Sequence, residues 1–271
     1  MSRIIDPGTW RFVEQGDGPP LLLIHGLGAS CFSWRENIGP LSRHFRVVAV
    51  DLPGHGDSPA PLDGDYRLET LCRGLRDFLD LRGLPKAAVA GNSLGGGLAL
   101  RLARDYPERV TALILLDPAA ALTRAPWIFY PLGLPLLGEL TAACLGPWII
   151  PFALRLAYYR RELITPEVVA GYARPYQELP RRLSLGRLCR QLQIPPLPEI
   201  AAMLQEIRQP AVLVWGQEDR ILPVSQASWV QAHLPQAQPH ILPEVGHAPQ
   251  EEAPDRVNEI IIDFLTHSIN N

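Results

Sequence analysis

The stretch Gly91-Asn92-Ser93-Leu94-Gly95 constrains the fold of this chain more than any other because of what flanks it. An apolar run from Ala87 to Ala90 leads in, and a helix-like run from Leu98 to Tyr106 leads out. A G-x-S-x-G pentapeptide in that setting predicts a sharp strand-to-helix turn. Its serine takes strained backbone angles, and its glycines let neighbouring chain pass without a Cβ clash. The turn lifts the Ser93 hydroxyl out of the sheet. It also sets that hydroxyl beside the unpaired N–H groups of the helix start, the Leu94 amide among them, where a developing oxyanion can be held. The plain alternative is a glycine-rich connection carrying a solvated serine.

Around this turn, β-type runs alternate with helical patterns. Strands are predicted at Pro20 to Ile24, Arg46 to Asp51, Ala87 to Gly91, Val110 to Asp117, Ala211 to Gly216 and Pro239 to Leu242. Helices are predicted at Ser33 to His44, Leu68 to Leu81, Leu94 to Tyr106, Ser225 to His233 and Pro254 to Ser268. The strands are nearly continuous Val, Leu, Ile and Ala, as expected when helices cover both faces of a parallel sheet. Trp10 to Gln15 suits an antiparallel edge strand, whereas Ile4-Ile5 is too short to assign. Between about Asp117 and Gln209 the alternation stops, and a Pro-, Leu- and Arg-rich stretch suggests several short helices. Thr165 as N-cap with Pro166 behind it marks one such start. The expected organisation is an α/β core from residues 1–117 and 209–271, with residues 118–208 as an inserted helical cap.

Composition excludes some partners. Hydrophobic residues make up 47%, charged residues 20%, and the net charge is −3, so nothing marks a nucleic-acid surface. Cys31, Cys72, Cys144 and Cys189 lack metal-ligand or paired spacing, which suggests reduced thiols and a cytoplasmic setting. The N-terminal residues carry no secretory h-region. From Ala125 to Leu154 the only charged side chain is Glu139, but Pro126, Pro131, Pro135, Pro147 and Pro151 break the run. A membrane-spanning helix is therefore not expected, although peripheral membrane contact through the cap is.

Chemistry in an open parallel sheet gathers beyond the C-terminal strand ends. After the first long strand, His25-Gly26-Leu27-Gly28 offers the Leu27 amide as a second oxyanion donor, with His25 itself structural. Asp219, in Gly216-Gln217-Glu218-Asp219, is the choice for a carboxylate that orients a catalytic imidazole. Glu218 is adjacent but points elsewhere, and Asp117, at the end of another strand, is the stronger competitor or else a turn cap. His247, in Gly246-His247-Ala248, follows the last strand and suits the general base. Glu251 and Glu252 suit first-turn helix charges. The order Ser93, Asp219, His247, each just past a strand, is that of a nucleophile–acid–base triad.

Taken together, His25-Gly26-Leu27-Gly28, Asp51-Leu52-Pro53-Gly54-His55-Gly56-Asp57-Ser58, Gly91 to Gly96, Trp215 to Asp219 and Gly246-His247-Ala248 resemble the α/β-hydrolase superfamily. The resemblance implies a mostly parallel sheet of about eight strands, Ser93 as nucleophile, His55 as a loop-shaping residue and a helical cap over the pocket. It implies no metal and no organic cofactor. Haloalkane dehalogenases and epoxide hydrolases are similar but carry aspartate at the elbow. Ser93 leaves esterases and lipases, thioesterases, carbon–carbon bond hydrolases of ring-cleavage diketones and cofactor-free perhydrolases. A non-catalytic ligand-binding protein of the same fold is a further alternative.

The cap should supply the pocket walls. Trp127, Ile128, Phe129, Leu132, Leu134, Leu136, Leu137, Trp148, Ile149, Ile150 and Phe152 favour a small-molecule ester with an apolar acyl group, or else form the cap's own core. Arg187 and Arg190 are candidates for a substrate carboxylate, or else surface charges.

Overall fold

Nearly continuous aliphatic runs fold as expected into a doubly covered sheet. The computed structural model describes residues 6–122, 129–134 and 137–269. Its strands are β1 (Phe12–Gln15), β2 (Pro20–Ile24), β3 (Arg46–Val50), β4 (Ala87–Asn92), β5 (Val110–Leu116), β6 (Ala211–Gly216) and β7 (Ala237–Leu242). They lie in the order β1-β3-β2-β4-β5-β6-β7, and every pairing is parallel except β1 with β3. The described residues thus carry seven strands where about eight were expected. Pro239 sits in the sheet at little cost because β7 is an edge strand.

Helices α1 (Arg35–Leu41), α2 (Leu68–Leu81), α3 (Leu94–Asp105), α10 (Ser225–His233) and α12 (Pro254–Ile269) pack on the sheet. In α2, buried Leu71, Cys72, Leu75, Phe78 and Leu79 recur at helical spacing and join one apolar layer. The opposite face of the sheet meets α1 and α12 in a second layer that includes Trp34, Ile38, Val257 and Ile261. All six residues of β4 and of β6 are buried. Continuous apolarity, rather than alternation, was therefore the informative pattern.

Between β5 and β6 the chain forms α4 (Tyr130–Gly133), α5 (Leu137–Cys144), α6 (Ile150–Ala157), α7 (Pro166–Ala173), α8 (Leu179–Gln191) and α9 (Leu197–Glu206). Thr165 caps α7 by accepting the Val168 N–H, with Pro166 in the first turn. Ile150, Leu154, Tyr158, Val168, Ala173 and Tyr176 make a small core here. Of the apolar side chains expected in this stretch, Leu132 and Ile150 are buried. Leu134, Leu137, Trp148 and Phe152 are exposed, and Trp127, Ile128 and Leu136 lie outside the described residues. Among the described residues no single helix is long and apolar enough to cross a bilayer. One pair bent by 81°, Leu137–Cys144 with Pro147–Ala157, has the length and composition jointly.

Candidate active site

The strand order reverses around β2 and β4, and a ligand crevice is expected at such a switch point. There β4 turns abruptly into α3 (Leu94–Asp105) through Ser93, which has φ 54° and ψ −116°. The turn is tight enough to demand its glycines. A Cβ on Gly91 would lie 2.2 Å from the Gly95 carbonyl oxygen, and one on Gly95 would lie 2.2 Å from that of Ile24.

Ile24 pairs with Gly91, so the loop after β2 runs beside the serine; a Cβ on Gly26 would be 3.2 Å from that of Ser93. Leu27 from this loop and Leu94 from the start of α3 line one cavity with Ser93 and His247. The Leu94 amide belongs to the first helical turn, where no carbonyl lies four residues back. His25 spends both ring nitrogens on backbone: Nδ1 on the Gly26 oxygen at 2.7 Å and Nε2 on the Leu52 N–H at 2.9 Å. Burial pushes its pKa down to about 4, so it is a neutral strut. His55, in ring contact with His25 at 5.2 Å, is driven down to about 3 by burial first and then by that neighbour.

His247 and Asp219 meet across the ends of β6 and β7. His247 Nδ1 lies 2.6 Å from Asp219 Oδ2, and both side chains are buried. Asp219 Oδ1 accepts the Ile221 and Leu222 N–H groups at 2.7 and 2.9 Å. The carboxylate is thus held in place from both sides. Asn92, next to the serine, donates to the His247 carbonyl at 3.0 Å and to that of Leu116 at 3.2 Å. This tie between the elbow and the histidine loop escaped the sequence reading, since nothing local to Asn92 announces a partner 155 residues away. Glu218 does not line the cavity.

Glu251 and Glu252 were expected as first-turn helix charges. They do lie in the first turn of α11 (Pro249–Glu252), and both are buried. Glu251 binds Arg35 and the Tyr172 hydroxyl. Glu252 accepts the Gly246 N–H at 2.9 Å, that of Tyr159 at 2.8 Å and that of Arg160 at 2.9 Å. Burial raises the pKa of each, against the pull of these donors. Their burial has a physical cause: Arg35 and residues 158–172 arrive from distant sequence and cover the turn.

The cavity measures about 1380 Å³ and its walls are mostly aliphatic and aromatic, including Phe129, Leu132, Ile150, Leu154 and Met203. Arg187 and Arg190 do not line it, and Arg190 pairs with Glu139 at 2.9 Å. The group best placed for a metal ion is Asp117, Asp219 and His247, whose ligand atoms lie within 4.8 Å of one another. There the His247 Nδ1 and Asp219 Oδ2 are already committed to each other. The arrangement can orient an imidazole; it does not form an open cation site.

A strained serine elbow on a parallel sheet, lining one cavity with the histidine of a His–Asp pair, defines a class. The family model of the α/β hydrolase fold matches residues 19–254, and the chain belongs to that family and is a hydrolase. Particular relatives narrow the neighbourhood. The chain is 31% identical over 261 residues to a 2-hydroxy-6-oxononadienedioate/2-hydroxy-6-oxononatrienedioate hydrolase of Comamonas testosteroni, across 94% of this chain and 90% of that one. It is 30% identical over 263 residues to a 2-hydroxy-6-oxo-6-phenylhexa-2,4-dienoate hydrolase of Burkholderia cepacia, with the same coverage. Among solved structures, lip1 of Acinetobacter baumannii AYE, described as a candidate lipase, has a TM-score of 0.86 at 28% identity. That match covers 100% of this chain and 92% of the other.

Proposed function

We propose that this hydrolase cleaves carboxylic esters with an apolar acyl group through an acyl-enzyme on Ser93, with residues 118–208 as its lid. His247 takes the Ser93 proton as the hydroxyl adds to the ester carbonyl. The Leu27 and Leu94 amides hold the oxyanion, and Asp219 keeps the imidazole in its working tautomer. His247 then protonates the departing alcohol, and water releases the acid by the same steps in reverse. The observation that carries this reading is that Ser93 and His247 open onto one predominantly apolar cavity.

Each buried methylene contributes up to about 0.8 kcal/mol. Across p-nitrophenyl esters, kcat/KM should therefore rise at least tenfold from acetate to octanoate; acetate as the best substrate contradicts the reading. Exposed Leu134 and Phe152 line this cavity, and with exposed Leu137, Leu140 and Trp148 they fit a lipid surface. Octanoate esters presented in phosphatidylcholine vesicles should then be hydrolysed faster than dispersed ones, and equal rates would remove the membrane from the account.

One observation favours a second reading, carbon–carbon cleavage of a dienoate. Arg182 lines the cavity without a carboxylate partner among the described residues. Its Nη1 donates to the Ala143 oxygen at 2.7 Å, and its Nε is buried without an acceptor. Arg67, Arg101 and Arg104 also line the cavity but face Asp65, Glu69 and Glu206 respectively. A substrate carboxylate would suit Arg182, in keeping with the names of the relatives about 30% identical. A vinylogous diketone acid included in the same panel separates the two chemistries.

A further inference from the structure

Asp117 follows β5 in a setting that the acyl-transfer scheme leaves unused. Its φ is 41°, a left-handed backbone uncommon for a residue bearing a Cβ, and its side chain is fully buried. The backbone N–H donates to the Val214 oxygen at 3.0 Å, and Oδ1 accepts the Gly216 N–H at 2.9 Å. Oδ2 has no donor among the described residues. The Asp117 carboxylate stands beside the Asp219–His247 pair, with one ligand atom of each of the three residues within 4.8 Å of the others.

Two ionised carboxylates cannot hydrogen-bond to each other, and in a shared buried site they repel; one retained proton removes both difficulties. The distribution of donors says which group keeps it. Asp219 takes two backbone N–H groups and the imidazole, whereas Asp117 takes one backbone N–H. The charge therefore rests on Asp219. We propose that Asp117 is a neutral carboxylic acid whose Oδ2–H donates to Asp219, making it a positioning residue for the carboxylate that orients His247. This rests on the assignment of Asp219 as the triad acid.

The Gly216 N–H favours the ionised form of Asp117, but stronger influences oppose it. Burial acts first, then the Asp219 charge, and the Glu252 carboxylate on α11 adds to both. Together they hold the Asp117 carboxyl well above the usual range. A neutral acid and an asparagine present the same pattern, an acceptor to Gly216 and a donor to Asp219. Asparagine also tolerates the left-handed backbone.

Asp117→Asn should keep kcat/KM within threefold of wild type and leave the acid limb of its pH profile in place. Asp117→Gly preserves the backbone but deletes the donor. It should lose at least tenfold in kcat with little change in KM, and its acid limb should move to higher pH as Asp219 holds the imidazolium more tightly. Asp219→Asn should be far worse than either. Equal activity of wild type, Asp117→Asn and Asp117→Gly overturns the positioning role. Loss in Asp117→Asn as deep as in Asp219→Asn overturns both this proposal and the assignment of Asp219.

A second measurement needs no substrate and so stands whichever bond the enzyme cleaves. The unfolded chain releases the Asp117 proton above pH about 4, while the folded chain retains it. Wild-type stability relative to Asp117→Asn should therefore fall as pH rises from 4 towards the native titration point. If Asp117→Gly does not fold, this comparison and the Asn kinetics still decide. A stability difference that stays constant with pH shows an ionised Asp117 and ends the proposal.

Discussion

Ser93 has backbone angles that a residue with a Cβ avoids, and the surroundings fix them. Its N–H donates to the Leu116 oxygen at 3.0 Å, and its own carbonyl accepts the Gly97 and Ala119 N–H groups at 3.1 and 2.9 Å. Strain held by that many bonds is a form of preorganisation, because the hydroxyl cannot relax into the sheet. Gly95 makes the turn possible, since a methyl group there would press 2.2 Å from the Ile24 oxygen and 2.7 Å from that of His25. Gly95→Ala should cost about 3 kcal/mol, seen as a Tm lower by roughly 6 °C or more. Esterase activity should fall further than the remaining folded fraction explains. A variant with unchanged Tm contradicts the packing described here. This glycine was legible in the sequence through its five-residue motif, although the carbonyls that require it come from the end of β2 and the loop after it.

Elements meet at the site through backbone hydrogen bonds that no local pattern reveals. The segment after α6 is tied to the histidine loop: the His247 N–H donates to the Ala157 oxygen at 2.7 Å, and Glu252 bridges Gly246 to Tyr159 and Arg160. From α7's end the chain reaches the opposite loop, where the Tyr176 hydroxyl donates to the Gly28 oxygen at 2.9 Å. The inserted helices thus touch both the loop bearing His247 and the loop bearing Leu27. Glu252→Gln replaces one acceptor oxygen with an amide donor aimed at a backbone N–H. It should cost about 2 kcal/mol of stability and lower kcat by roughly tenfold as His247 loosens. Full activity with full stability would show that this bridge holds nothing in register.

At the scale of the molecule, the sheet, its covering helices and the pairing of Asp219 with His247 were readable in advance. Strand runs, turn glycines and chain order are properties of short windows. Other features were not readable. The burial of Glu251 and Glu252, the tie from Asn92 to the histidine loop and the place of Arg182 on the cavity wall all depend on chain that arrives from far away. The two acids at strand ends illustrate the limit: sequence posed Asp117 and Asp219 as rivals, and the fold puts them in contact, with His247 bonded to Asp219.

The central claim is that Ser93 becomes a nucleophile because His247 and Asp219 activate it. Intact-mass analysis after exposure to an alkyl fluorophosphonate tests this without knowledge of the natural substrate. Wild type should acquire one adduct, mapped to Ser93. Ser93→Ala should acquire none, and Asp219→Asn should label orders of magnitude more slowly. An adduct on another residue, or folded wild-type protein that stays unlabelled, would contradict the account.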